Sequence, residues 1–188
     1  MANLGVSIAI IADGKILLTK REDFEIWCLP GGEVDPNESV TQAAIREVWE
    51  ETGLEVRLSR LVGIYSKPQW LGTGDHDVLF AAEPIGGTVR LCPGETIDVN
   101  YFAFDQMPPD LVPWDHQPIQ DAINGIGGSV AQRQNVQWPF APTMQRQEIY
   151  AQRDCSGLSR LQFFWQVVSP EPVIEIVEVA GQRMGDTR

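Results

Sequence analysis

The chain has 188 residues, 43% hydrophobic and 21% charged, a composition suited to a soluble globular fold long enough to bury a core. Its 14 basic and 26 acidic residues leave a formal charge of −12, which argues against a nucleic acid or an anionic membrane as partner; an anionic ligand would have to come with a cation. Three widely spaced cysteines, Cys28, Cys92 and Cys155, suit free thiols better than a disulfide framework or a zinc site, and with no basic leader and no run of about 18 apolar residues a soluble, cytoplasmic protein is expected.

Residues 6–12 and 15–19 are short, apolar and rich in β-branched side chains, and the Asp13-Gly14 pair between them signals a hairpin. Lys20 and Arg21 follow the second strand, and Trp27-Cys28-Leu29-Pro30 leads into a Gly31-Gly32 turn. A helix comes next. Ser39 is suited to cap its start by accepting from an orphan amide, Gln42 can complete a capping box, and Gly53 supplies a left-handed stop. At about 100° per residue, Ala44, Ile45, Val48, Trp49 and Thr52 share one face, expected to pack, while Glu47, Glu50 and Glu51 share the other. Like charges one turn apart repel, so the acidic face is either a solvated surface or one relieved by an oxygen-loving divalent cation such as Mg²⁺ or Mn²⁺.

Beyond that helix, 56–65 and 76–83 read as strands separated by a loop over 66–74 that holds Pro68 and Trp70, and 115–124 reads as a helix closed by Asn124-Gly125. The β-rich pattern with two helices suits an α/β or α+β arrangement. Residues 125–140 are rich in Gly and Gln and read as loop; 143–153 reads as a helix capped by Thr143, 158–168 as a second helix, and 172–179 as a strand. Two helices and a strand invite a winged-helix reading, but residues 125–188 carry six arginines against six acids, whereas a DNA-binding module should be basic. A packing or dimerisation extension, or a lid over the active site, fits the neutral charge better.

The spacing of Gly32, Glu38, Arg46-Glu47-Val48, Glu50-Glu51, Gly53 and Leu54 resembles the box of the Nudix hydrolases at every fixed position, seven specified residues and two aliphatic slots over 23 positions. Flanking features extend the resemblance: the hairpin, the W-x-L-P-G-G approach, and a late strand within 95–107 where Asp98 precedes Tyr101-Phe102 and an Asp105–Pro108 turn. The resemblance implies an α/β/α sandwich with a mixed sheet between helices over residues 1–124, followed by the extension 125–188, which would pack on that domain or on the partner in a homodimer.

It also implies a metal-dependent pyrophosphohydrolase that attacks a nucleoside diphosphate derivative with water at phosphorus. Glu47, Glu50 and Glu51, with Gly32, would then hold Mg²⁺ or Mn²⁺; Arg46 would orient a box glutamate, and Glu38 would anchor the loop. Lys20, Arg21, Gly31, Gly32 and Trp27 are the candidate substrate contacts, although Lys20 and Arg21 serve equally as a charged strand end. A box residue, Glu47, is favoured as general base, with Glu95, Asp98 and Asp75 as alternatives. Trp27, Trp70 and Tyr65 are candidates for stacking on a base or for the core; His76 and His116 read as surface or hydrogen-bonded residues. ADP-ribose or a nucleotide sugar is the leading substrate class, with nucleoside triphosphates close behind. The alternative function is a nucleotide sensor signalling through its extension; the intact set of carboxylates favours the enzyme.

Overall fold

The computed structural model describes residues 2–128 and 130–183; the end of the expected extension, 184–188, lies outside the described residues. The chain opens with the hairpin read from the sequence: β1 (Asn3–Ala12) and β2 (Lys15–Arg21) pair antiparallel, with Ala12 opposite Lys15. Asp13 and Gly14 both have positive φ, 50° and 71°, the geometry of a two-residue turn whose twist matches the flanking strands. Short strands β3 (Trp27–Cys28) and β4 (Gly31–Glu33) then lie against β2 and β1.

Helix α1 (Val40–Thr52) has the caps that its sequence announces. The Ser39 hydroxyl accepts from the Gln42 amide at 3.2 Å, the Gln42 side chain accepts from the Ser39 amide at 2.9 Å, and Gly53 closes the helix at φ 72°. Its packed stripe is narrower than expected. Ala43, Ala44, Val48 and Thr52 are buried, but Ile45 and Trp49 stand exposed, because the sheet beneath reaches only one edge of the apolar face; Arg90 covers the Trp49 ring from 4.5 Å instead.

The strands β5 (Leu54–Lys67) and β6 (Asp75–Gly87) are longer than the sequence suggests and pair antiparallel. Strand β6 also runs parallel to β1, with Val6 opposite Val78 and Ile10 opposite Ala82. Strand β7 (Thr96–Ala103) lines β2, and α2 (His116–Ile123) follows a single 3-10 turn. Period-two alternation divides the core into two layers. Val6, Ile8, Ile10 and Leu17 face α1, while Ala9, Ile16 and Leu18 face Ile119 and Ala122 of α2. The result is a mixed sheet between helices.

Residues 125–140 depart from the loop expected for them. After the two-residue β8 (Ile126–Gly127), strand β9 (Val130–Asn135) runs parallel to β5 and joins the main sheet, which reads β10-β9-β5-β6-β1-β2-β3, where β10 is Ile174–Val179 and pairs antiparallel with β9. The inward positions of β9 beyond Val130 are the glutamines Gln132 and Gln134, buried by bonding to Glu175 and to the Trp114 carbonyl, so the strand carries little apolar alternation. Helix α3 (Arg146–Cys155) is capped by Gln145 rather than Thr143. The second predicted helix is a single α turn, α4 (Arg160–Phe163), started by Ser159 and finished by a π turn through Val168.

This segment is bonded to the turn after β2. Arg153 Nη1 donates to the Asp23 carbonyl at 2.5 Å, Arg160 Nη1 to the Glu22 carbonyl at 2.6 Å, and the Tyr150 hydroxyl to Asp23 Oδ2 at 3.2 Å. Ile149, Phe163, Phe164 and Val168 share an apolar cluster with Ile26 and Val112. Among the described residues no helix is long and apolar enough to cross a membrane.

Candidate active site

The turn ahead of α1 is built for close approach. A side chain at Gly31 would run into the Val6 carbonyl, and a Cβ at Gly32 would lie 2.5 Å from the Glu47 carboxylate. Two glycines therefore let β4 lie on β1 while the acidic face of α1 comes up against the backbone.

Arg46 organises that face. Its Nε and Nη2 donate to both oxygens of Glu38, each at 2.9 Å, and Nη2 also reaches the Glu33 carbonyl at 3.0 Å. Nη1 bridges Glu47 at 2.7 Å and Glu50 at 3.0 Å. These hydrogen bonds hold the Glu38 carboxyl below its ordinary range, and the fork geometry is one that only arginine supplies. Burial pushes the Glu47 carboxyl up despite Arg46. It pushes Glu51 further, to about 8, against the Gly31 amide that donates to Glu51 Oε2 at 3.2 Å; the negative charges of Glu47 and Glu95 add to the rise.

Among the described residues no three Asp, Glu, His or Cys side chains converge into a ready-made metal cage, and Arg46 bridges two of the glutamates. The donors nonetheless suit a hard divalent cation: they are all oxygens, and the burial that raises the Glu51 carboxyl disfavours its charge in the absence of a cation.

Beside the box lies a cleft of about 340 Å³ lined by Gly31, Gly32 and Glu51, by Arg21, and by a polar group of Asn3, Lys67, Asp75, Asp77 and Asp115. Arg21 is held by Asp23 through Nε at 2.9 Å and Nη2 at 2.5 Å. Lys67 is buried and paired with Asp75 at 3.0 Å and with Asp77. Asp115 accepts from the Leu29 amide at 2.8 Å, and burial lifts its carboxyl to about 7.

The structure thus brings Arg21, Gly31, Gly32 and Glu51 to the cleft, with Glu47 and Glu50 tied through Arg46. Lys20 turns elsewhere, to Asp110 at 3.1 Å and the Trp27 ring, and Trp27 is a core residue edge-on to Phe102 at 4.8 Å. Tyr65 is buried with its hydroxyl on Asp121 at 2.7 Å, while Trp70 lines the cleft. Of the alternative acids, Glu95 lies close enough to raise Glu47 and Glu51, Asp75 is committed to Lys67, and Asp98 is exposed on β7. His76 meets the Ser66 hydroxyl at 2.9 Å, and His116 opens α2. The sequence reading missed Lys67, Asp77 and Asp115. Asp75 and Asp77, two apart on one strand, were the available signal, because such residues share a face.

A NUDIX-domain family model matches residues 1–122. The chain is 36% identical over 126 residues to a putative 8-oxo-dGTP diphosphatase of Bacillus subtilis, covering 66% of this chain and 83% of that protein. It is 33% identical over 111 residues to an ADP-ribose pyrophosphatase of Methanocaldococcus jannaschii, covering 57% of this chain and 64% of that protein. A MutT NUDIX hydrolase from Burkholderia pseudomallei superposes with a TM-score of 0.57 at 30% identity, covering 65% of this chain and 96% of that one.

Proposed function

This chain belongs to the Nudix family of pyrophosphohydrolases, and we propose that it is a divalent-metal-dependent enzyme that cleaves the diphosphate linkage of a nucleoside diphosphate derivative, a nucleotide sugar or a nucleoside triphosphate. The observation that carries the reading is the five-bond clasp of Arg46 on Glu38, Glu47, Glu50 and the Glu33 carbonyl, beside Glu51 at the wall of the cleft.

Glu47, Glu50, Glu51 and the Gly32 carbonyl are the groups that would hold Mg²⁺ or Mn²⁺, which when bound neutralises phosphate oxygens and makes water a better nucleophile. The protein's own residues do the rest. Arg21 binds the phosphates by exchanging Asp23 for phosphate oxygens. Arg46 fixes the orientation of Glu47 and Glu50, and the Gly31 amide fixes Glu51. Glu47, whose carboxyl is raised by burial and so made more basic, takes the proton of the attacking water.

The test is release of phosphate or nucleoside monophosphate from ADP-ribose, UDP-sugars, 8-oxo-dGTP and the common triphosphates, with Mg²⁺, with Mn²⁺ and with EDTA. Cleavage that needs the metal, and that Glu50→Gln and Glu51→Gln abolish in folded protein, is the expected result. Undiminished turnover in both variants, or in EDTA, would overturn the proposal.

A further inference from the structure

The cleft does not end where the family's domain ends. The family model stops at residue 122, yet Trp138, Phe140, Met144, Arg146, Tyr150 and Phe164 line the same cleft as Gly31, Gly32 and Glu51. We propose that the segment 138–168 completes the substrate site, and that Trp138 and Phe140, with Trp70 and Trp114, form a stacking wall that selects substrates carrying a planar heterocycle. The inference rests on the pyrophosphohydrolase reading and names the substrate's second anchor.

Three observations support the wall. The first is the arrangement of the rings. Trp70 meets Trp114 at 4.9 Å and 57°, Trp70 meets Trp138 at 4.7 Å and 71°, and Trp138 meets Phe140 at 5.2 Å and 71°. These contacts are tilted or edge-on, Phe140 also lies parallel to Phe163 at 6.5 Å and 12°, and all four rings are half-buried and line the cleft, where a ring face can be met by an incoming base. Stacking a base on such a face needs no hydrogen-bond match and works for any heterocycle.

The second is charge. The polar part of the same cleft offers Asp75 and Asp77 against one ammonium, Lys67, which they already pair, with the buried carboxyl of Asp115 beside them. A phosphate or carboxylate is repelled there, whereas the N–H groups of a neutral base find acceptors. Arg21 lies near Glu51, so the phosphates belong at the box and the base at the aromatic wall.

The third is rigidity. The bonds from Tyr150, Arg153 and Arg160 to Glu22 and Asp23 fix the segment to the turn that carries Arg21. Both ends of the substrate are thereby gripped by parts that touch each other, which lowers the ordering cost of binding.

The experiment is intrinsic tryptophan fluorescence of the full chain titrated with AMP, GMP or UMP, with ribose 5-phosphate and inorganic phosphate as ligands that lack a base. It is paired with steady-state kinetics of the wild type, Trp138→Leu, Trp138→Phe and Phe140→Leu. A nucleotide should quench emission while the base-free ligands do not. Trp138→Leu should raise KM for a nucleotide substrate by about tenfold with kcat within about twofold, and Trp138→Phe should recover most of the loss. KM for 5-phosphoribosyl pyrophosphate, a diphosphate without a base, should not move. Equal quenching by ribose 5-phosphate, or an unchanged nucleotide KM in Trp138→Leu, overturns the wall while leaving the hydrolase intact. If the wild type cleaves nothing but nucleotides still quench selectively, and Trp138→Phe loses that quench, the wall stands and the hydrolase reading fails. If Trp138→Leu does not fold, Trp138→Phe decides the matter: it should lose much of the nucleotide-induced quench that the wild type shows, and an undiminished quench overturns the wall.

Discussion

Replacing Asp115 with asparagine should stabilise the protein, and by more at high pH than at low. Burial raises the Asp115 carboxyl from an ordinary 3.8 to about 7, so folding favours its neutral form. The stability that this group contributes is full below pH 3.8 and is lost as pH rises through 7. A tenfold change in proton affinity is worth about 1.36 kcal/mol, so the ionisable side chain costs roughly 2 kcal/mol at pH 5 and roughly 4 kcal/mol at pH 8. Asparagine does not titrate, and its oxygen can still accept from the Leu29 amide, now 2.8 Å from Oδ2. The gain of Asp115→Asn over wild type should therefore widen by about 2–3 kcal/mol between pH 5 and pH 8. Urea unfolding of both proteins at the two pH values reads this directly. A gain that stays constant within about 0.5 kcal/mol, or shrinks with pH, would refute a buried, proton-binding Asp115.

Arg46→Lys should lower kcat/KM by roughly 10- to 100-fold, the usual effect of losing an orienting partner, because an ammonium cannot span Glu38, Glu47, Glu50 and the Glu33 carbonyl together. Steady-state assays with far-UV circular dichroism as the folding control check it; full activity would show that the clasp does not set the site. Lys67→Met should destabilise the fold by about 3–5 kcal/mol, because it leaves Asp75 and Asp77 without their shared cation in a place where the lysine side chain is only 4% exposed. A melting temperature within a degree or two of wild type would mean that the two carboxylates find other relief.

The parts legible in the sequence were those whose signal is local. The Asp13-Gly14 turn, the Ser39 cap with Gln42, the Gly53 stop and the spacing that sets Arg46 against Glu47 and Glu50 each depend on residues within two turns of one another. Strand β9 was hidden because its inward positions are glutamines whose burial depends on Glu175, some 40 residues further on. Ile45 and Trp49 misled because helical periodicity gives the direction of an apolar face but not how far the facing sheet extends. Lys67, Asp75 and Asp77 come together through the antiparallel register of β5 and β6, and Trp70 meets Trp138 only after β9 has entered the sheet. Such contacts are set by topology, which short windows do not carry.

The charge balance of the cleft ties the metal proposal to the aromatic wall. A diphosphate is strongly anionic, yet Arg21 is spent on Asp23, Lys67 on two aspartates and Arg46 on three glutamates. These cations are already neutralised, in a chain whose formal charge is −12. Arg21 reaches the phosphates only by giving up Asp23, so much of the binding strength has to come from a cation that arrives with the phosphates and from contacts indifferent to charge. The carboxylates of α1 are placed for the first and the rings from Trp70 to Phe140 for the second. The division also accounts for the extension: a box domain bounded at residue 122 would keep Trp70 and Trp114 but lose the two rings that Trp138 and Phe140 add to the wall.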